Sequence, residues 1–147
     1  MIELTNLSPE NVEACLTLSV EGWQQKYVHP VSDSIARAYV EPETRIPLVI
    51  TENLRAVGFL FFHLYPTTSH IVLEELFVDS QFQQQGFGTA AVRAFLSYVE
   101  SFPEYERVIT WVDIGNPAGR KTLENAGFMR GSVDLEQRKN EMVYVIR

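Results

Sequence analysis

The sequence predicts a mixed α/β sheet whose elements run β-αα-βββ-α-β-α-ββ. Three observations carry this. Apolar, β-branched runs of strand length recur along the chain, with helix-period patterns between them. Breakers stand at the junctions: Pro42, Pro66 and Pro103 follow elements, Pro9 and Pro117 open them, and Gly86 and Gly88 part a strand from a helix. No repeat, low-complexity tract or linker interrupts the series, so residues 1–147 read as one domain.

Each element has its own signal. Ile2–Leu4 reads as a short strand. Ser8-Pro9-Glu10-Asn11 predicts a helix start, with Ser8 as N-cap and Pro9 at the first helical position, and the helix continues through Val12, Leu16 and Val20. Ser32 or Asp33 caps a second short helix through Ile35, Ala36 and Tyr39, which ends before Pro42. Three strands follow: Ile46–Thr51, Ala56–Tyr65 beyond a turn at Asn53, and Ile71–Val78 beyond the turn Pro66–Ser69. Ala90, Ala91, Ala94, Phe95 and Tyr98 mark the apolar side of the next helix. Arg107–Val112 is a strand, and Asn116-Pro117 starts a helix that stops at Gly127. Strand-like segments near Phe128–Asp134 and Met142–Ile146 close the order.

Composition narrows the classes. A net charge of −7 disfavours nucleic-acid binding, which needs a basic face, and mildly favours cationic small substrates. No apolar run approaches the ~20 residues that span a bilayer. The single cysteine, Cys15, falls in an apolar helical pattern and reads as a buried hydrophobe. With no disulfide framework, the simplest compartment is a reducing cytoplasm.

Gln83-Gln84-Gln85-Gly86-Phe87-Gly88 lies between a strand and a helix. The first turn of a helix leaves N–H groups without partners, and these groups attract anions together with the helix dipole. Glycine lets a phosphate approach the backbone with no Cβ in the way. Gln84 through Thr89 can wrap a pyrophosphate in this manner. The dinucleotide fingerprint needs a third glycine where Ala91 stands, and the P-loop lysine is missing, so both nucleotide readings drop. A plain turn with no ligand competes.

Leu76-Phe77-Val78-Asp79-Ser80-Gln81-Phe82-Gln83-Gln84-Gln85-Gly86-Phe87-Gly88 resembles the first motif of the GNAT N-acetyltransferases: an apolar strand, then Gln/Arg-x-x-Gly-x-Gly/Ala. Asn116-Pro117-Ala118-Gly119-Arg120 and Ala126-Gly127-Phe128 resemble that family's later Asn, helix and Gly-Phe. The resemblance spans nearly the whole chain. It implies a GNAT fold with two splayed parallel strands, Leu76, Phe77 and Val78 on one arm and the Ile109–Val112 region on the other. It implies acetyl-CoA as cosubstrate, with no metal, its pyrophosphate held by Gln83, Gln84, Gln85, Gly86, Phe87, Gly88 and Thr89. Asn116 would meet the pantetheine or cap its helix. Arg120 would meet CoA phosphate oxygens, a solvated helix face being the competing reading.

Acetyl transfer needs a deprotonated amine, a donor for the oxyanion and a proton for the thiolate. Glu74 and Glu75 precede the first arm and are the candidate catalytic carboxylates. Adjacent strand residues point to opposite faces, so only one of the two is expected to face the acceptor. Leu123 stands where the family often has a tyrosine as thiolate acid, and leucine donates no proton. Tyr144 or water are the substitutes, or the thiolate leaves unaided.

Gln24–Val28, Ser34–Val40 and Glu41-Pro42 resemble bacterial spermine/spermidine-type acetyltransferases, and Glu74-Glu75 resembles the acidic pair of diamine acetyltransferases. The resemblance implies a small-molecule amine acceptor, with a polyamine as one candidate, acetylated by direct attack in a ternary complex. Glu21, Trp23 and Tyr27 are the candidate acceptor-binding residues, with Glu41, Glu43 and His29 behind them. An aminoglycoside, an amino acid, a protein N-terminus, or a non-catalytic acyl-CoA-binding module remain as alternatives. A monomer or a homodimer is implied.

Overall fold

A computed structural model describes residues 1–20 and 22–147, and for Trp23 the backbone alone. Seven strands form one sheet, in the order β1-β2-β3-β4-β5-β7-β6. The strands are β1 (Ile2–Asn6), β2 (Arg45–Glu52), β3 (Arg55–Tyr65), β4 (His70–Val78), β5 (Arg107–Asp113), β6 (Met129–Asp134) and β7 (Lys139–Val145). The helices are α1 (Val12–Leu16), α2 (Val31–Val40), α3 (Phe87–Glu100) and α4 (Pro117–Asn125), with a 3-10 segment at Gly22–Tyr27. Only β4 and β5 pair in parallel among the described residues. This is the mixed sheet that the alternation predicts.

Both faces of the sheet are covered, and the strands show it by alternation. In β3, Leu60 and Phe62 enter the core beneath α3 with Ala91, Val92 and Phe95. Phe59 and Phe61, between them, face the other way onto Cys15, Val31 and Ala38 of α1 and α2. Burying such a side chain contributes roughly 1.5–3 kcal/mol. β3 has covered faces on both sides, hence its nearly unbroken apolar run. Among the described residues no helix is long and apolar enough to cross a membrane.

Three local expectations are corrected. Helix α1 begins at Val12 with Asn11, not Ser8, in the cap position. The Ser8 carbonyl instead accepts from the N–H groups of Asn11 (3.2 Å) and Val12 (3.0 Å), folding Pro9 and Glu10 into a turn. The helix also ends at Leu16 rather than running to Val20. The backbone beyond it is drawn to the end of β4, where Ser19 N–H donates to Asp79 Oδ2 at 2.9 Å and Ser80 N–H donates to the Ser19 carbonyl at 2.8 Å. Finally, α2 starts at Val31 after Pro30, so Ser32 and Asp33 lie inside its first turn and cap nothing.

Candidate active site

The site begins where β4 leaves β5. The two strands pair only at His70–Val72 with Arg107–Ile109 and then diverge. The divergence coincides with an irregularity on the other side of β4. Phe61 pairs with Glu75 and Phe62 with Leu73, so Glu74 is an extra residue in the ladder. A bulge of this kind bends its strand and increases its twist. At the fork, Thr110 Oγ1 of β5 donates to the Leu73 carbonyl at 2.7 Å in a buried hydrogen bond, bridging the two arms where they separate.

Beyond the fork lies a cleft of about 950 Å³. Leu76, Phe77 and Val78 form one wall, and Thr110, Trp111, Val112 and Asp113 the other. The loop before α3 and the start of α4 close its ends. The loop is built by backbone conformation. Gln84 (φ 62°) and Gly86 (φ 78°) are left-handed, and a Cβ on Gly86 would meet no atom within 4 Å, so glycine answers to the backbone there and not to crowding. The Ala90 N–H bonds the Gly86 carbonyl at 3.1 Å and opens the helical ladder. The N–H groups of Phe87, Gly88 and Thr89 lie ahead of it, at the positive end of a 14-residue helix. A fork, a long cleft and an anion-binding helix start fit a thioester cosubstrate with a pyrophosphate at one end.

The segment 22–27 lies across this cleft. Gln83 Nε2 donates to Gln24 Oε1 (2.9 Å) and to the Val78 carbonyl (2.8 Å), tying the segment to the loop. On the far side Tyr27 donates its hydroxyl to the Gly115 carbonyl at 2.8 Å, just before α4.

A smaller cavity of about 150 Å³ opens on the α2 side of β4, lined by His29, Asp33, Ser34, Arg37, Phe61, Glu74 and Glu75. Glu74 and Glu75 line both cavities, so the two meet at this pair. The expectation that only one carboxylate faces the acceptor side is therefore corrected, because the bulge breaks the alternation that would have separated them. Glu74 is held by Arg45 (Nη1 to Oε1, 3.3 Å), with His63 Nδ1 3.4 Å from the same oxygen but out of line for a hydrogen bond. Glu75 is buried and accepts on Oε1 from His29, whose Nδ1 lies at 2.5 Å and backbone N–H at 3.3 Å. Burial pushes the Glu75 carboxyl above the usual range, and the His29 hydrogen bond offsets part of that.

Of the sequence candidates, Gln83, Gln84, Gly86, Phe87, Gly88, Thr89 and Asn116 all line the large cleft with Leu76, Phe77 and Val78. Asn116 also caps α4, its Oδ1 accepting from Gly119 N–H at 3.1 Å. Gln85 is not among the lining residues. Nor is Arg120, whose Nε is engaged by Glu124 at 3.1 Å, and Lys139 of β7 lines the cleft where a cation was sought. Tyr27 lines the cleft, while Glu21 and the Trp23 side chain lie outside the described residues. Glu41 turns to Arg45 (3.4 Å) rather than to either cavity. Leu123 is buried against the cleft, and Tyr144 packs on Phe128 (ring centroids 5.6 Å) outside its lining, whereas Tyr27 is the tyrosine that lines the cleft. Sequence reasoning missed Asp33, Arg37 and Thr110, and gave His29 only a minor place. The i, i+4 spacing of Asp33 and Arg37 puts both on one face of α2 and was the available signal.

Residues 10–128 match the model of the Acetyltransferase (GNAT) family. The chain belongs to this family. It is an acetyl-CoA-dependent N-acetyltransferase by membership. The fold is also that of solved GNAT structures. Spermidine N-acetyltransferase from Vibrio cholerae, in complex with CoA and spermine, superposes with a TM-score of 0.83 at 13% identity, over 98% of this chain and 95% of that one. An aminoglycoside acetyltransferase in complex with coenzyme A and kanamycin gives 0.82 at 14% identity, over 99% and 95%. A ribosomal L7/L12 α-N-protein acetyltransferase in complex with coenzyme A gives 0.75 at 15% identity, over 98% and 93%. In sequence alone, no curated protein matches the chain significantly.

Proposed function

We propose that this GNAT enzyme acetylates a primary amine of a small molecule, with a polyamine as the leading acceptor class, by direct attack in a ternary complex. One observation carries the reading: Glu74 and Glu75 line both the smaller cavity beside α2 and the large cleft. Three carboxylates, Asp33, Glu74 and Glu75, face a cavity of a size that admits an alkylammonium end and little more. Among the structural neighbours is an enzyme whose complex contains spermine.

Acetyl-CoA supplies an activated acyl group. The chain's own residues bind and orient it. The N–H groups ahead of α3 take the pyrophosphate, and the walls of the fork hold the pantetheine away from bulk water. The carboxylates at the junction draw the ammonium toward the cleft. With leucine at 123, the thiolate leaves unaided or through water, a thiol pKa near ~8.5 making it a fair leaving group. The reaction belongs in a reducing cytoplasm, in keeping with the buried free Cys15 thiol, which burial pushes up to about 11.

A second reading has its own observation. Arg37 faces the same cavity and has no carboxylate partner among the described residues, which suits an amine that also bears a carboxylate, such as an amino acid or a peptide N-terminus. Thiol release from acetyl-CoA with spermidine, spermine, an aminoglycoside, single amino acids and short peptides separates the classes. Turnover with spermidine supports the first reading. Turnover confined to carboxylate-bearing amines replaces it with the second. Tight CoA binding with no turnover on any amine defeats both.

A further inference from the structure

We infer that His29 is the base that takes the acceptor's proton, and that Glu75 is the residue that positions it. This rests on the amine-acetylation reading above. Nothing in the sequence pairs these residues, which stand 46 positions apart.

The geometry is that of an imidazole held by a carboxylate. His29 Nδ1 lies 2.5 Å from Glu75 Oε1, and the His29 backbone N–H reaches the same oxygen at 3.3 Å. The two contacts hold His29 beside the carboxylate at both its backbone and its ring. An unprotonated Nδ1 would set a lone pair against a carboxylate oxygen, so the ionised pair selects the tautomer with hydrogen on Nδ1. That leaves Nε2, on the far edge of the ring, as a bare acceptor. The two residues divide burial unequally: the His29 side chain is 74% exposed and that of Glu75 is 8%. The ring therefore lines the acceptor cavity with its free edge in contact with water, and the carboxylate behind it is sheltered. A buried carboxylate oriented on Nδ1–H also stabilises the imidazolium when it forms.

The other charged groups around the pair have separate duties. Arg45 holds Glu74, with His63 beside it, and Glu41 lies beyond Arg45. Asp33 and Arg37 of α2 face the cavity from its opposite wall. Asp33 is placed to hold an acceptor cation, and of the groups lining the cavity His29 alone offers an imidazole nitrogen with access to solvent.

The proton balance is direct. The acceptor ammonium gives one proton to Nε2, and the imidazolium passes it to solvent. The freed lone pair forms the C–N bond as the C–S bond breaks. The second proton shed by nitrogen neutralises the thiolate.

The test compares His29→Gln, His29→Ala and Glu75→Gln with the wild type, using the whole protein and the best amine from the acceptor panel. His29→Gln should lower kcat ~100-fold or more, the ordinary weight of a positioned base, with acetyl-CoA affinity by calorimetry unchanged. The limb of the kcat/KM profile that rises with pH should vanish in His29→Gln. In His29→Ala, added imidazole should restore part of the rate. Glu75→Gln should lose less and displace the limb, since an amide oxygen still orients Nδ1–H without the charge. Nitrogen NMR of the wild type should place the hydrogen of the neutral His29 ring on Nδ1. Glu75→Gln dead beside a His29→Gln within threefold of wild type would overturn the assignment and make Glu75 the base. An Nε2–H tautomer with turnover intact would overturn it alone. A wild type that acetylates no amine defeats the acceptor reading and this inference with it.

Discussion

The two halves of the site are built from different materials. On the donor side, the chain's conformation makes the surface: a fork between strands, a left-handed glycine and the open first turn of α3. On the acceptor side, side chains make it: His29, Asp33, Arg37, Glu74 and Glu75 come from a loop, a helix and a strand and meet around about 150 Å³. A surface of backbone tolerates most changes of side chain and fails when the path of the chain changes. A surface of side chains changes its preference with single substitutions. Solved structures of this fold that share only 13–15% identity with this chain hold CoA, and with it molecules as different as spermine and kanamycin.

The largest expected break in this contrast is on the donor side. Gly86→Val forces a β-branched residue to φ 78°, at a strain of about 1–3 kcal/mol. Calorimetry should show CoA affinity falling ~100-fold, equivalent to ~2.7 kcal/mol, while the imidazole signals of His29 hardly move. Unchanged affinity would remove the pyrophosphate from this loop. Next comes the fork, which both halves share. Thr110→Val removes the buried donor to the Leu73 carbonyl and should cost about 1–3 kcal/mol in urea unfolding, with a smaller effect on CoA binding.

The third effect sharpens the acceptor half through pH. The folded-state pKa of Glu75 is raised by burial. Its protonated form therefore contributes stability that is fully present below the ordinary carboxylate value of ~4.3 and is lost as pH rises through the raised value. The urea midpoint of the wild type should fall over that window, and Glu75→Gln should fall less; parallel curves would mean that the His29 contact fully offsets the burial. The smallest effect belongs to the segment that joins the halves. Tyr27→Phe loses one hydrogen bond to Gly115, worth ~0.5–1.5 kcal/mol, and should raise the acceptor KM a few-fold without changing CoA affinity at equilibrium.

The same division explains what the sequence discloses. Backbone features leave punctuation behind. Gly86 and Gly88, the Asn116-Pro117 start and the strand-length runs locate the sheet, α3, α4 and the donor loop to within a few residues. Helix α1 resists such reading because the backbone after it is tied, at Ser19, to Asp79 sixty residues on and to Ser80 beside it. Arg120 misleads for a related reason: its partner Glu124 is one turn away, and an i, i+4 ion pair looks like any solvated charge. The pairing of His29 with Glu75 leaves no local trace at all, since it depends on how the loop before α2 is carried over the sheet to β4. The alternation rule for Glu74 and Glu75 fails for one residue's worth of extra chain, which no composition or period marks.

That extra residue limits how such an enzyme can be re-engineered. The bend at Glu74 accompanies both the opening of the cosubstrate fork and the exposure of two carboxylates to the acceptor. Deleting it would straighten β4 toward β5 and remove a carboxylate in one stroke. A change of acceptor cannot be had by editing β4 without risk to the donor, whereas Asp33, Ser34 and Arg37 of α2 line the acceptor cavity and take no part in the large cleft. Libraries aimed at new amines belong in that helix, with β4 kept as it is.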